Sequence, residues 1–499
     1  MTVTRDGAAP PSPARTYGNW RQRRGYGLGR LTSTQTWMAL AAIVPPLVAL
    51  LLSVPALLAT LPVTAVGLAV ALGRWDGIPL ADALRARVRW RIARARGWTD
   101  YQGGVLAEFP RRHDLPGVLA PLVLLDAEDG RGNRQGMIWD RRSGTLTSVL
   151  RLASIGTMLA DQLDADTWVA NWGQWLADLG YVPMARWVAV TVETTPSPGT
   201  TLADHVARRV TPTAPPAARQ LVADLVATAP QAAADVDTRI SITLDPARAI
   251  PRPTTILEAV AEATRTLAGL EHALAGCGVA LLGRANAGWL AGTVRAAFDP
   301  AVRADVARLS DEEVLLAWRE AGPVAQHVEW DFFRHDSGYS VSYALHEAPR
   351  QAVPAHVLAP LLAPGPFARR VTIAYQPYAA ADAARQAQAE LNAATFRRAY
   401  RRRARQDDSA RDLADEVRAE RAALEEAEGA GVALFTVYVT TTVAHPEQLP
   451  AAAADLEQRA GAAKLRLRRC YGAQDVGFAS TLGVGVYPPD LARRPHRTR

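Results

Sequence analysis

The chain almost lacks lysine. Among 499 residues and 56 basic side chains there is one, Lys464, and every other basic residue is arginine. A nucleotide-hydrolysing P-loop needs Lys and then Ser or Thr directly after its second glycine, to reach the phosphates and Mg²⁺. The nearest match, VALLGRANAGWLAG, carries Gly283 and Gly288 at that spacing after a strand-like run, but Trp289 and Leu290 follow. A planar guanidinium does not replace a compact ammonium there. A self-contained P-loop ATPase is therefore excluded. Cysteine is nearly as scarce. Cys277 and Cys470 stand far apart with no CxxC pair, so no disulfide framework points to an oxidising compartment. The nine histidines form no HExxH and no Cys/His set at zinc spacing, and no GxSxG elbow is present. No catalytic residue, metal or cofactor is assigned.

One cluster has the right residue types for acid–base chemistry. In HVEWDFFRHD, alternation puts His327, Glu329 and Asp331 on one strand face, with His335 and His346 nearby. The opposite face is Val328, Trp330 and Phe332, so a solvated strand face is the simpler reading of the pattern.

Charge is missing altogether from Trp37 to Leu72. As one straight helix that run would span roughly 54 Å at about 1.5 Å per residue, too long for a hydrocarbon core of about 30 Å. Pro55 follows Ser53 and Val54 near its middle. A helical hairpin is expected: Thr36–Leu52, a tight turn, then Ala56–Leu72. A cleaved secretory signal fits poorly, since its apolar region runs about 7–15 residues. Arginines flank the run on both sides, upstream from Arg15 to Arg30 and downstream from Arg74 to Arg96. Both flanks then stay in the cytoplasm, which requires an even number of crossings. The expected location is the plasma (inner) membrane, with two spans and both termini cytoplasmic. Trp37 and Trp75 bracket the run as interfacial aromatics.

The downstream flank, DGIPLADALRARVRWRIARARGW, alternates apolar and arginine residues like a strand. On a helix at about 100° per residue, Leu84, Val88, Ile92 and Ala95 make a narrow apolar stripe. Arg85, Arg89 and Arg96 lie on one side of it; Arg87, Arg91 and Arg94 lie on the other. That is an interfacial helix over Asp76–Trp98, its stripe in the acyl boundary and its arginines on anionic headgroups.

The rest reads as alternating strands and helices. LVLLDAEDGRGNRQGMIWDRRSGTLTSVLRLAS gives three strands, DADTWVANWGQWLADLG a helix with a core-facing Trp stripe capped by Asp164 or Asp166, and ARWVAVTVETTP a strand. A helix through Val236 precedes the strand TRISITLD, and a helix ending at Gly278 precedes VALLG. HVEWDFFRHDSGYSVSYALHE is expected to be a hairpin and ARRVTIAYQPY a strand. A long helical stretch from Ala380 to about Glu428 follows, then the strand VALFTVYVTTTV, a helix, and the short strand KLRLRRCYG. The fold class is α+β, built from split β-α-β (ferredoxin-like) units. The expected organisation is a disordered tail (1–34), the hairpin (35–73), the basic helix (74–98), one cytoplasmic α+β domain (115–320), a second with the long helical hairpin (321–488), and a basic tail (489–499). Within the long stretch, Arg397, Arg398, Arg401, Arg402, Arg403 and Arg405 form a basic block that can dock a partner, pair with the acids after it, or touch phosphates.

These pieces resemble known ones. A double-spanning hairpin followed by Asp76-Gly77-Ile78-Pro79-Leu80 and a basic helix resembles the PrgI family of small conjugation membrane proteins. The TYGNW before it is similar to actinobacterial members fused to a longer cytoplasmic domain. Residues from about 115 to 490 resemble the N-terminal, non-motor domain of conjugative (VirB/TraC-type) secretion ATPases, through GMIWDRRSGTLTSVLRLAS, the long helix before LFTVYVTTTV, and LRLRRCYGAQDVGFASTLGVG. The resemblance implies a non-catalytic inner-membrane scaffold of a type IV secretion-like apparatus. Its implied partners are anionic lipids, a separate P-loop secretion ATPase, other channel subunits and further copies in an oligomer. It leaves direct nucleic-acid contact open. The competing readings are an EccE-like component of a type VII secretion system and a membrane-tethered hydrolase using the His327–Asp331 face.

Overall fold

A computed structural model describes residues 33–103, 113–154, 161–196, 213–228, 234–311, 316–379 and 431–492 continuously, with isolated positions elsewhere. The uncharged run folds as two helices, α1 (Ser33–Leu52) and α2 (Val54–Leu72), packed side by side. A short strand pair, β1 (Arg74–Trp75) and β2 (Ile78–Pro79), leads into α3 (Leu80–Ala95) and then β3 (Asp100–Gln102).

The soluble region is built twice on one plan. Strands β4 (Leu122–Glu128), β5 (Arg134–Asp140) and β6 (Leu146–Ser154) form the expected meander. Then come α4 (Gln162–Asp178), β7 (Ala185–Pro196), α5 (Pro216–Thr228), β8 (Ala234–Leu244), α6 (Ile256–Leu274) and β9 (Val279–Arg284). The last four strands lie antiparallel in the order β9-β6-β8-β7. This is the order of a split β-α-β unit. Two more helices, α7 (Ala287–Phe298) and α8 (Arg303–Asp311), close the first half.

The second half repeats the scheme with β10 (Ala325–Val328), β11 (Phe333–His335), β12 (Gly338–Glu347), α9 (Ala359–Leu362), β13 (Ala368–Pro377), β14 (Ala433–Val443), α10 (Leu449–Ala462) and β15 (Arg466–Arg469). Its order is β15-β12-β14-β13, strand for strand that of the first half. It closes with α11 (Gln474–Ser480) and α12 (Pro488–Leu491).

The halves join edge to edge. β7 pairs antiparallel with β13, so regions expected as two domains share one sheet. Val190 faces Ile373 across that seam. These residues are 183 positions apart (373 − 190), as are Ala185 and Ala368 (368 − 185), where both strands open on Ala-Arg. A pseudo-two-fold axis therefore passes between Val190 and Ile373.

Alternation gives the sheet two unlike faces. One is aliphatic: Leu150, Val188, Ile240 and Ile242 pack under α4 and α6, and Val341, Val371, Val437 and Val439 pack under α9 and α10. The Trp stripe of α4 faces this core, with Trp175 and Leu179 buried. The other face is a hydroxyl ladder. Thr147–Thr243, Thr191–Thr372, Ser340–Thr442 and Ser342–Thr440 pair across strands at 2.8–2.9 Å. Helices α7 and α11 and the chain from Thr481 to Tyr487 cover it. That chain crosses the ladder on Gly483 and Gly485, both at positive φ, and a Cβ on Gly485 would overlap Thr147 Oγ1.

Several expectations need correcting. The segment from His327 to Glu347 is not one hairpin but parts of three strands, because Asp336-Ser337 adds a second turn. β8 starts at Ala234, inside the expected helix, since Thr194–Pro196 of β7 offer it a ladder partner. β3, which lies between the expected basic helix and the first domain, is recruited by the edge of β10. Asp161, not Asp164 or Asp166, precedes α4, and makes no side-chain cap. Part of the expected disordered tail is held: Tyr17 bridges Val353 and donates to Asp166 at 3.0 Å. Helix is present at both ends of the long stretch, at 382–386 and 423–425, but Arg397, Arg398, Arg401, Arg402, Arg403 and Arg405 lie outside the described residues.

Candidate membrane interface

Helices α1 and α2 are each long and apolar enough to cross a membrane. At about 1.5 Å per residue, their 20 and 19 residues span roughly 30 Å, the thickness of a hydrocarbon core. Ser53 makes the turn and caps α2, accepting from Ala56 N at 3.3 Å, while Pro55 sits in the first turn where no partner for its missing N–H is needed. Polar groups inside the pair are satisfied within it. Thr60 and Thr64 donate back to Leu57 O and Thr60 O, and the buried Gln35 amide donates to Ala71 O at 3.0 Å. Large apolar side chains cover the outside, among them Leu47, Leu51, Leu58 and Val66.

The exit from α2 is a rigid coupling. Asp76 and Gly77 both take positive φ, as the tight turn between β1 and β2 requires, and this Asp-Gly-x-Pro-Leu is therefore a hairpin turn before it is a helix start. The helix expected from Asp76 accordingly begins at Leu80. The turn is seated on the second half of the sheet: Asp76 pairs with Arg468 at 3.2 Å, and a Cβ on Gly77 would strike the His346 ring. Trp75 packs on Tyr471 (centroids 4.9 Å) and Trp330 (6.5 Å), and Trp330 stacks on Tyr471 and meets Trp90 of α3 edge-on. Gly472 lets this cluster close, since a Cβ there would lie 2.6 Å from the Trp330 ring.

This cluster sorts the arginines of α3. Arg87 lies over Trp330 at 4.4 Å and over Trp90 at 4.9 Å; Arg94 lies over Trp90 at 5.3 Å and faces Glu329 at 3.9 Å. These two, and Trp75, were expected at lipid and are instead turned toward the soluble domain. Trp90 is only 7% exposed. The wheel explains it: Ala83, Trp90, Arg94 and Arg87 fall within about 60° of one another, on the flank away from the apolar stripe. The stripe itself is bare, with Leu84 46%, Val88 54% and Ile92 45% exposed. Arg85, Arg89, Arg91 and Arg96 are exposed around it, Arg96 lying over Trp98, and Trp37 is exposed on α1. Sequence reasoning missed Trp90, Trp330, Tyr471 and His346 as parts of the junction. The Asp-Gly turn signal and the lone Trp amid arginines were the available clues.

Of the suspected acid–base residues, His327 and Glu329 meet, while Asp331, His335 and His346 have other partners. His327 Nδ1 meets Asp100 Oδ1 at 2.5 Å and its Nε2 meets Glu329 Oε1 at 3.0 Å, pinning β3 to β10. Burial opposes charge on that ring, but the hydrogen bonds to Asp100 and Glu329 outweigh it and raise its pKa. Asp331 instead faces Arg469, and His346 lies under the Gly77 turn. His335 is fully buried among Phe298, Phe333 and Phe478, bonded to Phe298 O and Ser340 Oγ. Burial pushes it down to about 3, so it stays neutral. The P-loop-like segment opens α7, but Asn286 caps that helix and its first turn is seated against Gly136 of β5. Among the described residues, no His/Cys/Asp/Glu group could hold a metal ion. No family model matches the chain, and no curated protein matches it either.

Proposed function

We propose that the protein is a non-catalytic, membrane-anchored platform of a type IV secretion-like conjugation apparatus, which holds a separate P-loop secretion ATPase at the cytoplasmic face of the inner membrane. The observation that carries this reading is the junction. An apolar hairpin continues through a locked Asp-Gly turn into a helix clamped by Trp90 and Trp330 onto a two-fold sheet, with its apolar stripe left bare. A flexible tether would suffice to keep an enzyme near a membrane. Four rings, two arginines and an added strand instead join the hairpin to the sheet by many contacts, which is what a docking platform needs. The bare stripe supports lipid contact because soluble surfaces seldom leave three large apolar side chains aligned beside four arginines.

Topology is tested by cysteine labelling, since Cys277 and Cys470 are both unpaired and replaceable. In a cysteine-free variant, Ser53→Cys should react with an impermeant maleimide from outside intact cells, and Gln174→Cys only after lysis. Labelling of Gln174→Cys from outside overturns the orientation. Cross-linking and purification from the source cells should recover a conjugation-type P-loop ATPase. Recovery of a type VII ATPase instead would move the platform to that system, and nucleotide turnover by the purified chain would refute the non-catalytic role.

A further inference from the structure

A cavity of about 460 Å³ lies away from the membrane junction, on the hydroxyl face where the two halves meet. It opens between the ends of β7 and β13 on one side and α7 and α8 on the other. Its size falls within the range of small-molecule sites. The walls are apolar and shallow-chained: Ala301, Ala304 and Ala307 on one flank, Pro366 and Phe367 on the other. The inner end is charged. Glu193 there is shared by three guanidiniums: Arg239 at 3.1 Å, Arg303 at 2.5 Å and Arg370 at 3.9 Å. Burial alone would raise the Glu193 carboxyl, but Arg303, Arg239 and Arg370 outweigh it and hold it well below the usual carboxylate range.

The arginines outnumber the acids at this inner end. Arg239 also takes Asp237, which makes three guanidiniums against two carboxylates. Asp235 is a third acid, on the exposed rim, and Arg369, which also lines the cavity, pairs with Asp455 on the opposite face of the sheet. Arg239 Nε and Arg369 Nε also lack a partner, but those two guanidiniums make closer ion pairs, so Arg370 is left shortest. It is 4% exposed, it reaches Thr481 Oγ1 only at 3.4 Å, and its Nη2 has no hydrogen-bond partner. A buried guanidinium N–H left unmatched costs more than a neutral one, because the full desolvation penalty of a charged group is uncompensated. Burial and the neighbouring Arg303 and Arg239 lower its pKa to about 10 against the pull of Glu193, so it remains charged at neutral pH. Phe478 covers one face of the guanidinium at 4.7 Å, which leaves its edge as the part seeking an acceptor.

We propose that this cavity binds a small organic phosphate, with its anionic head on Arg370 and Arg303 and its apolar body against Ala304, Pro366 and Phe367. Guanidinium forks match phosphate oxygens two at a time, and an anion there meets the uncompensated positive charge at the inner end. The cavity sits on the seam between the halves, so its occupant bears on β7, β13 and α8 at once. The seam differs between the halves where it matters: position 187, equivalent to Arg370 by the 183-residue offset (370 − 187), is Trp, stacked on Tyr487. One site is expected, not two.

The test uses the full chain in detergent micelles, with phenyl phosphate as the probe and inorganic phosphate as the bare head. Isothermal titration should give one site per chain, with phenyl phosphate at least tenfold tighter than inorganic phosphate. Arg370→Met should weaken it at least tenfold. That variant is expected to fold, because Glu193 keeps Arg239 and Arg303. Ala304→Trp, on the exposed side of α8, should block the cavity without touching an arginine and weaken binding at least tenfold as well. No binding by the unaltered chain, equal binding of the two probes, or a loss of less than tenfold in either variant overturns the proposal.

Discussion

Gly485 gives a sharp test of how the hydroxyl face is sealed. In Gly485→Ala two costs fall together. The residue stands at φ +84°, where a side chain costs roughly 1–2 kcal/mol. The new Cβ would also overlap Thr147 Oγ1, and displacing that hydroxyl breaks its 2.8 Å hydrogen bond to Thr243 Oγ1 in a buried setting. Leaving such a pair unmatched costs roughly 1–3 kcal/mol. The expected loss is then about 2–5 kcal/mol in all. Gly130→Ala is the control: φ is +78°, but nothing lies within 4 Å of its Cβ, so only the backbone cost of about 1–2 kcal/mol applies. Urea-dependent pulse proteolysis of both variants yields the difference directly. A gap below about 0.5 kcal/mol, the usual error of additivity, would refute the idea that the Thr481–Tyr487 crossing is pressed onto the ladder.

Three further outcomes are expected. Trp330→Ala removes ring contacts with Trp75, Trp90 and Tyr471 and the seat of Arg87, a local loss of roughly 2–4 kcal/mol; amide exchange should quicken at least tenfold over α3 and β3 while the β7–β13 seam is unchanged, and Trp330→Phe should lose less. In vesicle binding by a form lacking the hairpin, Arg85→Gln with Arg89→Gln should weaken attachment to anionic lipid by about 1 kcal/mol per charge, whereas Arg87→Gln should not, because Arg87 faces Trp330; equal effects would show the sorting to be wrong. His327 is the pH-dependent tie. Its folded pKa is raised, so its stabilisation of the β3–β10 edge is full below its unfolded value near 6.5 and fades as pH rises through the folded value above that. Fluorescence from a label on β3 should report loosening as pH rises above 6.5 that His327→Gln abolishes; an unchanged pH profile in that variant would count against the tie.

Local pattern was enough for much of this chain. The absence of charge over Trp37–Leu72, broken near its middle by Ser53 and Pro55, was enough to read two apolar helices, which the structure has as α1 and α2. Period-two runs such as ARWVAVTVETTP mark strands to within a residue, since β-branched alternation serves only a sheet with unlike faces. Pairing is another matter. That β7 meets β13, and that two halves become one two-fold sheet, depends on contacts 183 positions apart between residues that look like any other strand residues. The same holds for the arginines of α3. A wheel drawn from sequence flanks the stripe with two equal rows, but Trp330, some 240 positions on, takes Arg87 for a ring face and leaves Arg85 and Arg89 to the outside. His327, Glu329, Asp331, His335 and His346 were neighbours on paper; in the fold His327 keeps Glu329 and gains Asp100, while Asp331 meets Arg469, His335 is buried on Phe298 O and Ser340, and His346 lies under the Gly77 turn. Periodicity records which face of an element is apolar. It carries no record of which distant surface that face, or its polar edge, will meet, and only tertiary structure decides that.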